Sequence, residues 1–273
     1  MKVTFYGTRG SIPVCEPAFQ EFGGNTTCVL LTGDDGRIAI LDAGSGIRNL
    51  GRDLIASGHR QDGTIFLALS HFHWDHIQGF PFFAPAYDSA RHFTISAFGR
   101  GTRPNDLASI FSGQMQREYF PVALDQMGAA FAFHEPEGAA FTEGQTRVTS
   151  YRHNHPGGAF TYRLERHGKV IAYCTDVEHG DGIDPNIVAM ARGADLLIHD
   201  AQYTPEELPH RRGWGHSSWE QAVAVAERAG AKRLALTHHD PDHDDAFLRR
   251  VEEKCRRRFP AAVLARERME IDF

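Results

Sequence analysis

The stretch SHFHWDHIQGF, residues 70–80, carries an unusual density of side chains that bind metals. His71, His73, Asp75 and His76 fall within six consecutive positions. In an extended segment His71 and His73 point to the same side, so both can bind one ion. Asp75 and His76 follow where the chain turns and are better placed for a second ion. Imidazole and carboxylate suit zinc and also accept manganese or iron.

Other β-like runs along the chain end in the same kinds of side chain. RIAIL ends at Asp42, TIFLALS at His71, KVIAYCT at Asp176, ADLLI at His199 and Asp200, and KRLALT at His238 and His239. Sites in α/β sheets form at strand ends, where loops converge on one crevice. The pattern therefore predicts that these side chains share one site.

The first motif supplies only two ligands for each metal, so further ligands must come from later in the chain. YRHNHPGG offers His153 and His155, and His155 is preferred because it directly precedes the Pro-Gly-Gly turn. Asp176 has two oxygens and can bridge a metal pair. THHDP offers His238 and His239, of which His238 is the first residue after its strand.

The remaining sequence predicts one α/β domain over residues 1–273. Short β-like runs alternate with helical patterns such as GIRNLGRDLIASG and DDAFLRRVEEKCRRRF, and SSWEQ suggests a helix capped by Ser217 and Glu220. No linker or low-complexity tract divides the chain. Residues 99–144 mix turn residues with a weak helical pattern, and we expect that they form a cap over the site.

Composition narrows the class of protein. The chain has 273 residues, 41% hydrophobic and 23% charged, which describes an ordinary globular protein. Its net charge of −6 argues against a broadly basic nucleic-acid-binding face. The start has no signal-peptide pattern and no apolar run reaches the ~20 residues that span a bilayer. Four scattered cysteines suggest no disulfide framework. We expect a cytoplasmic protein without a membrane partner.

The order of these motifs resembles the metallo-β-lactamase family over essentially the whole chain. H-x-H-x-D-H is followed by a lone His, a Thr-Asp after a strand and a Thr-His after a later strand. The segments FYGTRGSIP, LDAGSGI, NHPGG and THHDP resemble the phosphodiesterase branch. That branch includes tRNA 3′-processing endonucleases, class II cyclic-nucleotide phosphodiesterases and the cyclic ribosyl-phosphate phosphodiesterase of phosphonate breakdown.

The resemblance implies an αβ/βα sandwich of two mixed β-sheets flanked by helices. It also implies two divalent ions, which we expect to be zinc, with manganese or iron as alternatives. His71, His73 and His155 would bind one ion, Asp75, His76 and His238 the other, and Asp176 would bridge them. Homodimers are common in this fold, and no motif requires one here.

Two such ions can hold a hydroxide and clamp both the attacking and the leaving oxygen of a phosphodiester. The leaving oxygen then needs a proton donor, and His216 in WGHSSWEQ is the candidate because resembling phosphodiesterases carry a catalytic His before this helix. The tRNA-processing enzymes pair that His with a Glu at the position of Tyr173, so Asp200 is the candidate substitute. The catalytic candidates are His216, Asp75 and Asp200. Asp42 and Asp200 can also orient histidines as hydrogen-bond acceptors.

The leading hypothesis is therefore a dinuclear phosphodiesterase acting on a small or cyclic phosphodiester. The acidic chain, the missing Glu and the lack of a Gly- and Pro-rich arm disfavour nucleic acid, and tRNA 3′ processing is the first alternative. Hydrolysis of a lactone, thioester or β-lactam is the second. A metal-dependent binding module and a di-iron redox centre remain open.

Overall fold

The computed structural model describes residues 1–59 and 64–273. The chain forms two compact units, and each unit is assembled from segments that are distant in sequence. Unit 1 consists of residues 1–7, 25–137 and 268–272, and unit 2 of residues 8–24, 138–267 and Phe273. Over the described residues, each unit contains one mixed sheet of seven strands.

The sheet of unit 1 is antiparallel on one side and parallel on the other. Its strands are β1 (Lys2–Gly7), β2 (Cys28–Thr32), β3 (Ile38–Leu41), β4 (Thr64–Ala68), β5 (His92–Ser96), β6 (Ala130–His134) and β14 (Glu270–Asp272). They lie in the order β14-β1-β2-β3-β4-β5-β6. The pairs from β14 to β3 are antiparallel and those from β3 to β6 are parallel. The carboxyl ends of β3 and β4 therefore meet at one edge.

The sheet of unit 2 has the same plan. Its strands are β7 (Ala140–Glu143), β8 (Thr146–His153), β9 (Ala159–Arg166), β10 (Lys169–Cys174), β11 (Leu196–Asp200), β12 (Leu234–Thr237) and β13 (Ala262–Leu264), adjacent in that order. The pairs from β7 to β10 are antiparallel and those from β10 to β13 are parallel. The carboxyl ends of β10, β11 and β12 thus share one edge.

Helices cover part of each sheet. Unit 1 contains α1 (Ile47–Ala56), α2 (Trp74–Ile77) and α3 (Leu107–Gln114), and unit 2 contains α4 (Pro185–Met190), α5 (Trp219–Ala229) and α6 (Asp245–Arg258). Short 3-10 helices include Phe80–Phe82 and Leu208–Arg211. In unit 1, α1 buries Ile47, Leu50 and Leu54 in a core rich in phenylalanine. In unit 2 the core is built mainly from alanine, valine and leucine of α5, β11 and β12.

All of the β-like runs quoted above are strands, and so are the runs MKVTFYG, TCVLLTG, HFTISAFG and FTYRLERHG, which the same pattern predicts. The strands that sequence reasoning missed are β6, β7, β8, β13 and β14. β13 and β14 have three residues each, and β6 and β7 are half-exposed strands without a clear apolar face. β6 and β7 belong to residues 99–144, and α3 contributes Leu107 and Phe111 to the core of unit 1. That this segment caps a site, and that residues 1–273 form one domain, stay predictions.

The predicted cap of α5 is wrong by one residue. Ser218, not Ser217, is the N-cap, and its side chain accepts from the backbone N–H of Gln221 at 3.3 Å. Gln221 in turn accepts from the N–H of Ser218 at 3.0 Å. Ser217 is held instead by Asp200, whose carboxylate accepts its N–H at 3.1 Å. The capping-box spacing was right, but it fits two overlapping registers in the sequence SSWEQ.

The four cysteines carry free thiols, Cys15 exposed and the others buried. Within residues 1–59 and 64–273, no helix has the length and apolar character needed to cross a membrane.

Candidate active site

In unit 1 the end of β3 and the start of α2 bring one carboxylate and one histidine together. Asp42 follows β3, is fully buried and has a φ of 60°. It accepts hydrogen bonds from the N–H and the hydroxyl of Ser70 at 2.7 and 2.8 Å, and from Nδ1 of His76 at 2.9 Å. Because Nδ1 of His76 donates to this carboxylate, Nε2 keeps its lone pair, and Oδ2 of Asp75 lies 3.4 Å from it.

The ring of His71 packs against the rings of His73 and His76. The centroid of His71 lies 4.5 Å from that of His73 and 4.2 Å from that of His76. The Ser70 hydroxyl lies 3.1 Å from Nδ1 of His71. His71 is buried and His73 is exposed. Unit 1 therefore gathers three imidazoles and the Asp75 carboxylate in one place.

In unit 2 the centre of the group is Asp176, which directly follows Thr175 at the end of β10. Its side chain is buried and its φ is 54°. Oδ2 lies 3.9 Å from Nε2 of His155, and Oδ1 lies 3.4 Å from Nε2 of His238. The Thr175 hydroxyl donates to Oδ1 at 2.6 Å. Each oxygen of Asp176 thus faces a different imidazole.

The outer nitrogens of these two histidines are held by neutral acceptors. Nδ1 of His155 donates to the carbonyl of Gly215 at 3.0 Å, and Nδ1 of His238 donates to Oε1 of Gln202 at 2.9 Å. A Cβ at Gly215, whose φ is +91°, would lie 2.0 Å from Nδ1 of His155, so the contact requires glycine. The proton on Nδ1 leaves the Nε2 lone pair facing Asp176.

This arrangement fits a cation. A neutral imidazole with its Nε2 lone pair facing a carboxylate oxygen presents two electron-rich atoms to each other in a buried place. The same pairing occurs three times, at His76 with Asp75 and at His155 and His238 with Asp176. Imidazole and carboxylate with outer hydrogen bonds that fix the tautomer are the donor set of zinc and similar divalent ions.

His216 differs from His155 and His238 because the acceptor of its Nδ1 is a carboxylate. Its Nδ1 donates to Oδ2 of Asp200 at 2.8 Å. Burial alone would raise the pKa of the Asp200 carboxyl, but the contacts with His216 and His238 hold that pKa below its usual value. The ring of His216 stacks on His238 with centroids 4.9 Å apart and meets the edge of His155 at 5.5 Å. His216 is therefore next to both histidines that face Asp176.

The neighbouring histidines His153 and His239, which the sequence offered as second choices, have different hydrogen-bond partners from His155 and His238. His153 donates from Nε2 to the carbonyl of Asp176 at 3.0 Å and accepts from Thr161 at 3.1 Å. His239 donates to the carbonyl of Ala265 at 2.9 Å. Burial lowers the pKa of His153 to about 4 and that of His239 to about 3. Both are neutral residues that support the backbone, whereas His155 and His238 face Asp176.

Two supporting residues were missed by sequence reasoning. Gln202 orients His238 and also donates from Nε2 to Asp240 at 3.2 Å. Arg9 is fully buried and donates to the carbonyls of Gly23, Asp240 and His243, which fixes the loop after His238. No spacing rule links these residues to the motif. The only sequence signal was Gln202 standing two residues after Asp200.

Three residues at strand ends share an unusual backbone conformation. Asp42, Asp176 and His238 all have positive φ, of 60°, 54° and 63°. Such angles cost about 1 kcal/mol or more for residues other than glycine and are found mostly where the surroundings enforce them. Each residue lies at the carboxyl edge of its sheet, so the strain turns its side chain towards the local cluster.

Known proteins share both the sequence pattern and the fold. The model of a "Beta-lactamase superfamily domain" matches residues 37–239. Ribonuclease BN of Cronobacter sakazakii is 25% identical, with 99% of each chain covered. The structure of human tRNase Z, short form, has a TM-score of 0.71 at 22% identity and covers 100% of this chain and 99% of its own. A diphosphatase from the PhnP family has a TM-score of 0.69 at 19% identity, covering 100% and 97%. The predicted fold, two mixed sheets flanked by helices, is confirmed.

Proposed function

Since the chain belongs to the beta-lactamase superfamily, we propose that it is a dinuclear metal-dependent phosphodiesterase that acts on a small or cyclic phosphodiester. The chain is a hydrolase of this superfamily, and its relatives include a ribonuclease and a diphosphatase. The number of ions and the class of substrate are the proposal. The observation that carries it is His216, which is hydrogen-bonded to Asp200 at 2.8 Å and stacked on His238.

The residues proposed to bind the two ions are those of the family pattern. His71, His73 and His155 take one ion, Asp75, His76 and His238 the other, and Asp176 bridges. Support comes from each unit by itself. In unit 1 the ring of His71 packs against those of His73 and His76, and in unit 2 two imidazoles face the two oxygens of Asp176. Zinc is the expected metal, with manganese or iron as alternatives.

When bound, the ions supply Lewis acidity and bring the pKa of water to about 7, so that hydroxide is available at neutral pH. The protein supplies the proton for the leaving oxygen. Nδ1 of His216 is committed to Asp200, so Nε2 is the nitrogen that can transfer a proton. The Asp200 carboxylate stabilises the protonated imidazole and fixes its orientation, as a carboxylate partner does in other acid–base sites.

The preference for a small diester rests on three observations. The net charge of −6 gives nucleic acid no general electrostatic attraction. Tyr173 occupies the position of the Glu in tRNA-processing enzymes, and it is fully buried in β10. The partner of His216 is Asp200, on the next strand, instead. The similarity to ribonuclease BN and human tRNase Z over the whole chain supports tRNA 3′ processing as the second candidate.

Metal content and a substrate panel test the proposal. Protein purified without added metal should contain two equivalents of divalent metal and should hydrolyse bis-p-nitrophenyl phosphate. Chelation should abolish the activity and zinc or manganese should restore it. Asp176→Asn should lose both metal and activity. Asp244→Asn is the matched control, because Asp244 caps α6 and asparagine caps equally well.

The other substrates in the panel separate the alternatives. Cleavage of precursor tRNA with no turnover of small diesters would favour the tRNA-processing hypothesis. Hydrolysis of lactone, thioester or β-lactam chromogens in place of diesters would contradict phosphodiester chemistry. If the protein binds two metals but hydrolyses none of these substrates, the binding-module hypothesis is favoured.

A further inference from the structure

Unit 2 contains a cavity that opens beside His216. Its volume is about 310 Å³, within the range that holds a small organic group. The wall comes from the segment after β10, from the 3-10 helix Leu208–Arg211 and its flanks, and from α5. The cavity is thus lined by the proposed proton donor and by residues with no role in the metal centre.

The charged groups of this wall are already engaged. The Glu178 carboxylate accepts the backbone N–H groups of Gly213 and Gly215 at 2.9 and 2.8 Å. The Arg212 guanidinium donates to the exposed Asp181 at 2.6 Å. Burial lowers the pKa of His179 to about 3, so its ring is neutral. Among the described lining residues Arg212 is the one arginine, and none is a lysine.

The rest of the wall is apolar or weakly polar. Pro205, Leu208 and Pro209 contribute aliphatic surface. Gln221 contributes an amide, whose Oε1 is already used by the N–H of Ser218. A polyanion would need several unengaged cations and would lie against the Glu178 carboxylate, whereas an uncharged organic group would meet aliphatic surface and neutral polar groups.

We propose that this cavity receives the organic group whose oxygen leaves phosphorus, and that this group is an uncharged, partly apolar alcohol. The inference rests on the proposed phosphodiesterase function. In the step, the oxygen of water bonds to phosphorus while the bond to the leaving oxygen breaks and its electron pair stays on that oxygen. The leaving oxygen takes the Nε2 proton of His216, and the proton released by water balances it. The products are a phosphate monoester and an alcohol. The wall, with the Glu178 carboxylate and a single arginine among its described residues, disfavours a polyanionic RNA strand or a phosphate as the group in the cavity.

The test compares two substrates that differ by one charge. They are p-nitrophenyl methyl phosphate and its 3-carboxy-4-nitrophenyl analogue, whose leaving groups are similar in size and differ by one carboxylate. We expect the metal-loaded wild-type protein to prefer the leaving group without the carboxylate by about 10-fold or more in kcat/KM. Leu208→Arg places a cation in the wall and should reduce this preference by about 10-fold.

Two further variants keep the test decisive. Pro209→Arg adds the same charge at an exposed position of the same wall, so it serves if Leu208→Arg fails to fold. Ile55→Arg adds a charge on the exposed face of α1 and should leave the substrate preference within about 2-fold. If both substrates are hydrolysed and neither cavity variant changes the preference, the proposed leaving-group pocket is wrong. The phosphodiesterase function would still stand. Hydrolysis of neither substrate would overturn both.

Discussion

The histidines that face Asp75 in unit 1 and Asp176 in unit 2 are oriented by different kinds of acceptor. In unit 1, Nδ1 of His76 donates to the buried carboxylate of Asp42 at 2.9 Å. In unit 2, His155 and His238 donate to neutral oxygens, the carbonyl of Gly215 and the amide of Gln202. In unit 2 the Asp200 carboxylate accepts the hydrogen bond from Nδ1 of His216 instead.

Within unit 2, the kind of acceptor distinguishes His216 from His155 and His238. A carboxylate partner makes an imidazole more basic and stabilises its protonated form, whereas a neutral acceptor fixes orientation with less effect on basicity. His216 therefore has the partner that suits an acid–base group, and His155 and His238 have partners that keep them neutral and directed at Asp176. Within unit 2 these acceptors support the roles proposed for the three histidines.

Removing the imidazole of His216 should have the largest effect. We expect His216→Ala to lower kcat by about 10²- to 10⁴-fold on a diester with an alkyl leaving group and to leave the metal content unchanged. The loss should be much smaller for p-nitrophenyl esters, because that leaving group departs without a proton. Steady-state kinetics on both substrates, with metal analysis of each preparation, provide the check. Equal losses on both would contradict the role of proton donor.

Substituting the two buried carboxylates should separate their roles. Asp42→Asn should weaken metal binding by about 10- to 100-fold, and excess metal should restore much of the activity. Asp200→Asn should leave metal binding near the wild-type level and lower kcat by about 10²-fold, because the protonated imidazole loses its stabilising charge. Metal titration followed by kinetics at saturating metal measures both effects. If Asp200→Asn loses metal and Asp42→Asn does not, the roles proposed for the two carboxylates are wrong.

The same contrast explains how much could be predicted from the sequence. The unit 1 residues His71 to His76 are adjacent in the chain, so one short motif predicted their grouping. Asp176, Asp200 and His238 could be predicted because each ends a buried parallel strand of the same sheet. Gln202, Gly215 and Arg9 could not be predicted, since their contacts depend on loop geometry that no spacing rule encodes.

Short or half-exposed strands were missed for a related reason. β8 alternates buried and exposed residues imperfectly, and its sequence TRVTSYRH contains one aliphatic side chain. Its pairing with β9 over seven residue pairs stabilises it as a strand. Tertiary pairing therefore decides such segments, and local propensity does not.

A smaller effect is expected from the neutral acceptor of His238. Gln202→Leu keeps the approximate size of the side chain but removes the oxygen that accepts from Nδ1. We expect about a 10-fold weaker affinity for the metal that depends on His238, with kcat at saturating metal reduced less. Competition with a chromogenic chelator measures the affinity. The exposed Gln116 gives the control Gln116→Leu, which should behave as the wild type. An unchanged affinity in Gln202→Leu would show that the amide does not position His238.

The smallest expected effect is on the stability of the fold in acid, and it arises from His179 of unit 2. His179 is buried, its Nδ1 accepts the N–H of Asp184 at 3.3 Å, and its pKa is lowered to about 3 by burial. The unfolded chain binds a proton on this residue below a pH of about 6.5 while the folded chain does not, so stability falls as the pH falls through this window. Between pH 6 and pH 5, we expect the free energy of unfolding of His179→Asn to fall by about 1 kcal/mol less than that of the wild type. Urea unfolding at both pH values, with chelator present throughout, measures the difference. Equal losses in the two proteins would mean that His179 is protonated in the folded state as well.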